Sequence, residues 1–331
     1  MSDVPSPVAA ASLPAAECRP GWPGRAGAAA TLGIVAILPL VLRDSYGRGL
    51  LIAGALNVIQ ALGLDLILGF AGQLDLGAAA FYGIGAYVST LLVMLAGVGF
   101  WPALALGTLA AGVMGGVLAL LTVRLRGHYL AIASLGFAVI TYQVLLNWIS
   151  LTQGPLGLYG ITPPAGFTDP VRLFYLIAAC AVLVFAALRA LLASPVGATL
   201  AALREDEISA ASLGIDCRRW KAFAFAVGSA VAGLAGGLYP GFAGTLVPDA
   251  FAPADSFGVL AMVIVGGIGT LRGPVLGAVV LTLAPELLRG IGDARMIVYG
   301  LALTLVVLFM PGGLDGAWRM AAARLRRNQA G

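Results

Sequence analysis

The stretch GFAGQLDLGAAAFYGIGAY, from Gly69 to Tyr87, sets Gln73 and Asp75 between runs of apolar residues. Asn57, Gln60 and Asp65 precede it within the run LLIAGALNVIQALGLDLIL, and farther on Gln143 and Asn147 share a helical face four residues apart. Amides and carboxylates in such surroundings can tie helices together by hydrogen bonds, line a wet path for a solute, or hold a proton or a sodium ion. A charge at the centre of a bilayer costs at least about 2.5 kcal/mol even on the lenient insertion scale, so it must face protein or water. For the amides the plainer reading is a buried hydrogen bond that pins two helices. For Asp75 a cavity-lining role carries equal weight, because Gly69, Gly72 and Gly77 are placed to break the helix there, and broken helices at membrane depth occur where they line a cavity.

Other chemistries find no support. His128 is the only histidine in the chain, so neither a histidine-based triad nor a histidine metal cluster can be assembled. Its surroundings, GHYLAI, read as a membrane boundary with Tyr129 at the interface. No G-x-x-x-x-G-K-[ST] loop occurs, and GGIGTLRGP at Gly266–Pro274 lacks the lysine that would reach a nucleotide phosphate. The chain is therefore read as neither an ATPase nor an enzyme of another kind, with no metal and no cofactor of its own. Cys18, Cys180 and Cys217 form no disulfide framework, and the modest net charge of +4 gives no basis for nucleic-acid binding.

The elements that must position these residues are membrane helices. The chain is 60% hydrophobic and 10% charged, where soluble domains carry about 25% charged residues. A helix needs about 20 apolar residues to cross the hydrocarbon core. Segments near that length fall at 26–42, 50–70, 76–95, 102–121, 130–149, 171–192, 222–242, 256–270, 274–288 and 297–311. The expected fold is an all-α, polytopic transmembrane helix bundle of about ten segments, or eight or nine if 256–288 is a broken pair or a re-entrant element. Glycines at four-residue spacing, Gly112 with Gly116 and Gly233 with Gly237 and Gly241, predict close packing within the bundle. GFAGQL at Gly69–Leu74 recurs as GFAGTL at Gly241–Leu246; an inverted repeat and a chance match in a Gly-, Ala- and Leu-rich chain both account for it.

Lys and Arg of short loops are retained on the cytoplasmic side. That rule puts both termini inside, together with Arg124, Arg126, Arg204, Arg218, Arg219, Lys221, Arg272 and the basic tail at 317–331. It leaves the outer connections 96–101, 150–170 and 243–255 free of Lys and Arg. Arg43, Arg48, Arg289 and Arg295 run against it. Residues 1–27, rich in Pro and Ala, lack the apolar core and cleavage site of a secretory signal and read as a disordered cytoplasmic tail, ahead of a membrane domain at 28–316.

The longest polar segment, ASPVGATLAALREDEISAASLGIDCRRWK, occupies 193–221. Ser194 suits an N-cap, Pro195 the first helical position and Gly214 the stop. Val196, Leu200 and Leu203 keep one apolar face, so the segment reads as one cytoplasmic helix or a pair of short ones. Its length and helical grammar point to docking with another protein. Leu200 and Leu203 are expected to enter a partner's groove, and the charges Arg204, Glu205, Asp206 and Glu207 to set register at its rim.

From about residue 48 to 316 the chain resembles the permease subunits of branched-chain (hydrophobic) amino acid ABC importers, specifically the longer of the two paralogous permease types. The stretches that carry the resemblance are GFAGQLDLGAAAFYGIGAY, LRGHYLAIASLGFAVI, SPVGATLAALREDEISAASLGID, KAFAFAVGSAVAGLAGGLY, VIVGGIGTLRGPVLGA and YGLALTLVVLFMPGGLDG. The resemblance implies a type II-like permease in a bacterial inner membrane. Its partners would be a second permease chain, two cytoplasmic ATPases that bind the ATP and Mg, and a periplasmic binding protein that delivers the cargo. The 193–221 segment would then be the loop that couples permease to ATPase. The chain departs from the family pattern where a serine is expected at Asp75 and a histidine at Ala78, which opens the cargo to other small molecules such as urea or aromatic acids. The reading from another class is an ion-coupled secondary transporter with Asp65 or Asp75 as its proton or sodium site; the long helical loop and the family motifs weigh against it.

Overall fold

The computed structural model describes residues 44–122, 125, 127–164, 166–287, 300–301, 304, 308 and 312–316. The expected segment at 26–42, most of that at 297–311, both tails, and Arg43, Arg124, Arg126, Arg289 and Arg295 lie outside the described residues.

Helix α1 (Ser45–Asp65) runs directly into a π-helical end, Leu66–Phe70, and an irregular segment at 71–77 follows. Next come α2 (Ala78–Ala96), α3 (Phe100–Leu121), α4 (His128–Asn147), the short α5 (Ile149–Thr152), β1 (Leu158–Tyr159) and α6 (Pro170–Ala193). The chain continues with α7 (Pro195–Glu205), α8 (Glu207–Ser212), α9 (Cys217–Ala243), β2 (Thr245–Leu246), α10 (Pro253–Gly266) and α11 (Arg272–Leu287). Side chains start several of these helices. Asp169 Oδ1 accepts the Val171 N–H ahead of α6, Ser194 Oγ accepts that of Val196 ahead of α7, and Asp206 Oδ1 accepts that of Ile208 ahead of α8. Each such cap satisfies a donor the helix itself cannot.

Among the described residues six helices are long and apolar enough to cross a membrane: Ser45–Phe70, α2, α3, α4, α6 and α9. They fall on the expected segments 50–70, 76–95, 102–121, 130–149, 171–192 and 222–242. The pair expected at 256–270 and 274–288 takes a different form, because α10 has 14 residues and α11 has 16. At 1.5 Å per residue these reach about 21 and 24 Å, short of a hydrocarbon core about 30 Å thick. They pack on each other and on α1 as a helical hairpin.

Helix α9 lies at the centre, against α3, α2 and α1, and its glycines make that possible. A Cβ on Gly236 would fall on the Tyr82 carbonyl, and one on Gly85 of α2 on the backbone of Gly233. Gly112 and Gly116 of α3 likewise face Ala226 and Ala230, so the four-residue spacing serves packing inside this chain, as expected. A buried cluster of Ile67, Phe81, Ala111, Leu118, Ala119, Leu130, Phe225 and Ala232 fills the space between these helices.

The two ends of α9 differ in charge. Beyond its C-terminal end β1 pairs antiparallel with β2, Leu158 opposite Leu246 and Tyr159 opposite Thr245. This pair is the one departure from all-α among the described residues. It lets two loops satisfy each other's backbone groups. Tyr142 Oη donates to Asp249 Oδ1 at the same end, and a cavity of about 70 Å³ there touches Val93, Phe100, Ile161 and Thr162. The three connections without Lys or Arg share one end of the bundle with Arg48 at the start of α1 and Arg172 at the start of α6, while Arg204, Arg218 and Arg219 belong to the other.

Candidate functional site

The 71–77 segment is irregular yet deeply packed: Gln73 is 5% exposed and Asp75 1%. Its backbone is held from three directions. Asp75 Oδ1 accepts the Gly77 N–H at 2.8 Å, Ser134 Oγ of α4 accepts that of Leu76 at 2.9 Å, and Ser256 Oγ of α10 accepts that of Ala79 at 3.0 Å. The last bond closes the first turn of α2 with a hydroxyl from another helix. Directly beyond it Tyr82, Tyr87, Tyr239 and Phe251 form an aromatic cluster, with ring centroids 5.3–5.8 Å apart. Two polar atoms of the segment, Asp75 Oδ2 and Gln73 Nε2, are buried without a hydrogen-bond partner in this chain. Leaving such an atom unpaired costs about 1–3 kcal/mol.

Asp65, fully buried, lies at the junction of α1 with its π-helical end. Its Oδ1 accepts the N–H of Gly269, in the turn between α10 and α11, at 2.8 Å. Arg204 of α7 donates from Nη1 to the Gly69 carbonyl of the same π-helical end. Gly69 has to be glycine here, because a Cβ would land on Asp65 Oδ1 and on the backbone of Gly269. Three elements far apart in sequence therefore meet within one hydrogen-bonded knot.

The sequence-derived candidates divide accordingly. Asp65, Gln73 and Asp75 are buried, and Gln60 is buried farther back in α1. Asn57 donates from Nδ2 to Thr282 Oγ1 of α11 at 3.0 Å, a pin between two helices. Gln143 and Asn147 do share a face, but it is an exposed one, where Asn147 Nδ2 donates to both the carbonyl and the Oε1 of Gln143. They are not brought to Asp75; Ser134, lower on the same helix, is.

The 193–221 segment forms two short helices, with Gly214 in the left-handed region at φ 85°. The expected docking face is corrected. Leu200 is 0% exposed and Leu203 4%, because the apolar face of α7 packs against α6, α9 and the π-helical end of α1 and has nothing left to offer a partner. The rim of charges is also largely spent inside the chain. Arg204 reaches Gly69, Asp206 caps α8 and accepts from Ser209 Oγ at 2.6 Å, and Glu207 pairs with the nearly buried Lys221 of α9 at 2.9 Å; Glu205 alone stays on the surface with no such task in view. The exposed apolar residues are instead Ile208 at 66% and Leu213 at 80%. Sequence reasoning missed them, together with Ser134, Ser256 and Lys221. The available signal was their helical phase, since Ile208 and Leu213 fall past the Asp206 cap that starts a second helix. Among the described residues no group of His, Cys, Asp and Glu is arranged to hold a metal ion.

Comparison with known proteins bears on this arrangement. Residues 48–310 match the family model described as branched-chain amino acid transport system / permease component. A high-affinity branched-chain amino acid transport system permease protein LivM of Escherichia coli K12 is 37% identical over 284 residues, covering 78% of this chain and 67% of that protein. A probable LivM permease of Methanocaldococcus jannaschii is 29% identical over 198 residues, with 56% and 55% covered. A high-affinity branched-chain amino acid transport system permease protein LivH of E. coli K12 is 27% identical over 290 residues, with 80% and 92% covered. No solved structure matches the chain.

Proposed function

This chain belongs to the family of branched-chain amino acid transport permease components, a multi-pass membrane permease and no enzyme, and from that premise we propose its place in a complete importer. It is the LivM-like half of a permease pair in the inner membrane of a bacterium, with both termini cytoplasmic. The other half is a LivH-like chain. Two cytoplasmic ATPases bind ATP and Mg and drive the cycle, and a periplasmic binding protein delivers branched-chain or related hydrophobic amino acids. The observation that carries this reading is the α7–α8 pair. It is capped, anchored to the bundle by Leu200, Leu203 and the Glu207–Lys221 pair, and it leaves Ile208 and Leu213 bare at the end that carries Arg204, Arg218 and Arg219.

Alternating access requires that something stabilise two states of the bundle differently. ATPase closure would push on Ile208 and Leu213, and α7 would pass that motion to the π-helical end of α1. The segment behind that end holds Gln73 and Asp75, and the path runs between it and the aromatic cluster around Phe251. The buried Asp75 carboxylate supports a second reading of the cargo, as a more polar member of the small molecules carried within this family.

Affinity purification through a tag on this chain, followed by identification of the ligand on the associated binding protein, tests the whole proposal. Both ATPases and a second permease should co-elute, and Ile208→Asp with Leu213→Asp should release the ATPases while the permease pair stays together. A chain that elutes alone and takes up solute on an ion gradient without ATP would establish the secondary-transporter reading instead.

A further inference from the structure

Exposed tryptophans mark one membrane boundary of the bundle. Trp101 at the start of α3 and Trp148 just past α4 are 52% and 53% exposed, at the end that carries β1 and β2, and aromatic belts of this kind sit at headgroup level. The chain between α9 and α10 passes below that level. Tyr87 Oη donates to the Leu246 carbonyl at 3.4 Å, and Ser256 Oγ accepts the Ala79 N–H. Residues 246–256 therefore run along α2 from Tyr87 toward its first turn, a descent of about 12 Å at 1.5 Å per residue. Asp249 accepts from Tyr142, which precedes Trp148 in α4 and lies about 9 Å deeper along the helix axis. At this depth Asp249 and Asp255 are both exposed, and the backbone over 247–252 is extended or 3-10 helical. Exposed carboxylates and irregular backbone at membrane depth do not face lipid; they face water or protein.

The first turns of α10 carry the argument further. Ser256 is buried against α2, and the arc turned away from it, Ala254, Asp255, Phe257 and Gly258, is exposed, Phe257 by 50%. Ala254 and Gly258 lie four residues apart on that arc, and a Cβ on Gly258 would meet nothing within 4 Å. In α3 and α9 the glycines at this spacing meet other parts of the chain; Gly258 meets none. Small residues in open space let a second helix come close. We propose that the second permease chain packs one of its helices on Ala254 and Gly258 of α10, and that Asp249 and Asp255 border a water-filled path enclosed between the two chains. This inference rests on the permease-pair reading and adds the face through which the pair forms. The competing surface is a groove of about 460 Å³ between α3 and α9. Leu109, Val113, Phe223 and Val227 line it, side chains that lipid tails cover as readily as protein does. Exposed carboxylates have no such option, so the acidic face is the one that requires a partner and water.

The test uses the assembled importer in its own membrane, with the photoreactive residue p-benzoylphenylalanine in place of Phe257 or of Val113. Irradiation should join position 257 to the second permease chain, identified by mass spectrometry, and position 113 to no protein. An adduct of the second permease at position 113 overturns the proposal, as does the lack of one at position 257 while the pair still co-purifies. Gly258→Leu should lower recovery of the second permease about tenfold, as an overfilled helix contact would, with the amount of this chain in the membrane unchanged; undiminished recovery overturns the contact. Should Gly258→Leu fail to insert, the crosslinks decide alone. With Cys18, Cys180 and Cys217 changed to serine, Asp255→Cys should react with a charged, membrane-impermeant methanethiosulfonate reagent in at least one of the nucleotide-free and ATP-bound states. A cysteine that stays unreacted in both overturns the water-filled path. Failure of any second permease to co-purify with the parent chain defeats the pair reading and this face together.

Discussion

The irregular segment at 71–77 and the helix pair at 195–212 are the two places where this apolar chain concentrates polar side chains, and they treat them in opposite ways. In the pair, Asp206 and Glu207 are used within the chain, and Glu205 stays on the surface. Asp206 caps α8 with one oxygen and holds Ser209 with the other, and Glu207 neutralises Lys221. In the buried region, Asp65 and Asp75 each satisfy one oxygen with a backbone N–H and leave the other bare. Water at the rim makes full satisfaction cheap, and a group left bare there would cost little. Inside, each bare oxygen costs about 1–3 kcal/mol. The pair is thus held in a fixed shape, while Asp65 and Asp75 each keep one buried oxygen without a partner in this chain.

The strongest way to break this contrast is to destroy the fixed shape. Proline at Ala202 removes a backbone donor within α7 and should cost about 3 kcal/mol of local stability. The permease should still insert and pair while the ATPases no longer co-purify; normal ATPase retention and full uptake would make α7 a mere connector. Next in size is Glu207→Gln, which leaves Lys221 charged with only 10% of its side chain exposed. Breaking a buried pair from one side costs about 3–5 kcal/mol, and the partial exposure of Glu207 brings this to about 2 kcal/mol. A lower melting temperature of the detergent-solubilised permease would register it, and Glu207→Asp should recover part of the loss.

Asp75→Asn sharpens the comparison from the other side. The amide oxygen can still accept the Gly77 N–H, so the fold should be kept while the charge is removed. Uptake by the assembled importer is expected to fall about tenfold, equivalent to about 1.4 kcal/mol, with the melting temperature unchanged or raised. Unaltered uptake at every pH would leave the carboxylate no role in transport. The smallest effect belongs to Arg219→Ala, which removes an exposed pair with Asp216 at 2.9 Å. Exposed pairs are worth about 0–1 kcal/mol, so stability and uptake should both match the parent within error.

Orientation is testable independently of these. A reporter fused at residue 331 should signal from the cytoplasm, and a cysteine introduced near Gly157 should be labelled from outside. A reversed pattern would separate the charge asymmetry of the two bundle ends from the membrane it is taken to face.

By itself the sequence determined the membrane class, six of the long helices to within a few residues, the cap at Ser194, and the family. These follow from quantities local in the chain: apolar run length, side-chain oxygens one residue ahead of a proline, and motif order. Composition also decided that glycine would bring α9 close to its neighbours. Tertiary structure alone decided which polar groups meet. Asp65 and Gly269, Arg204 and Gly69, and Asn57 and Thr282 are joined across long separations, and no periodicity within one helix reports on the element lying opposite. The same holds for Leu200 and Leu203: their spacing shows an apolar face, but whether that face meets a partner or its own bundle depends on where α6 and the end of α1 lie. Residue type and phase set what a surface can bind, and only the packed chain sets what it has already bound.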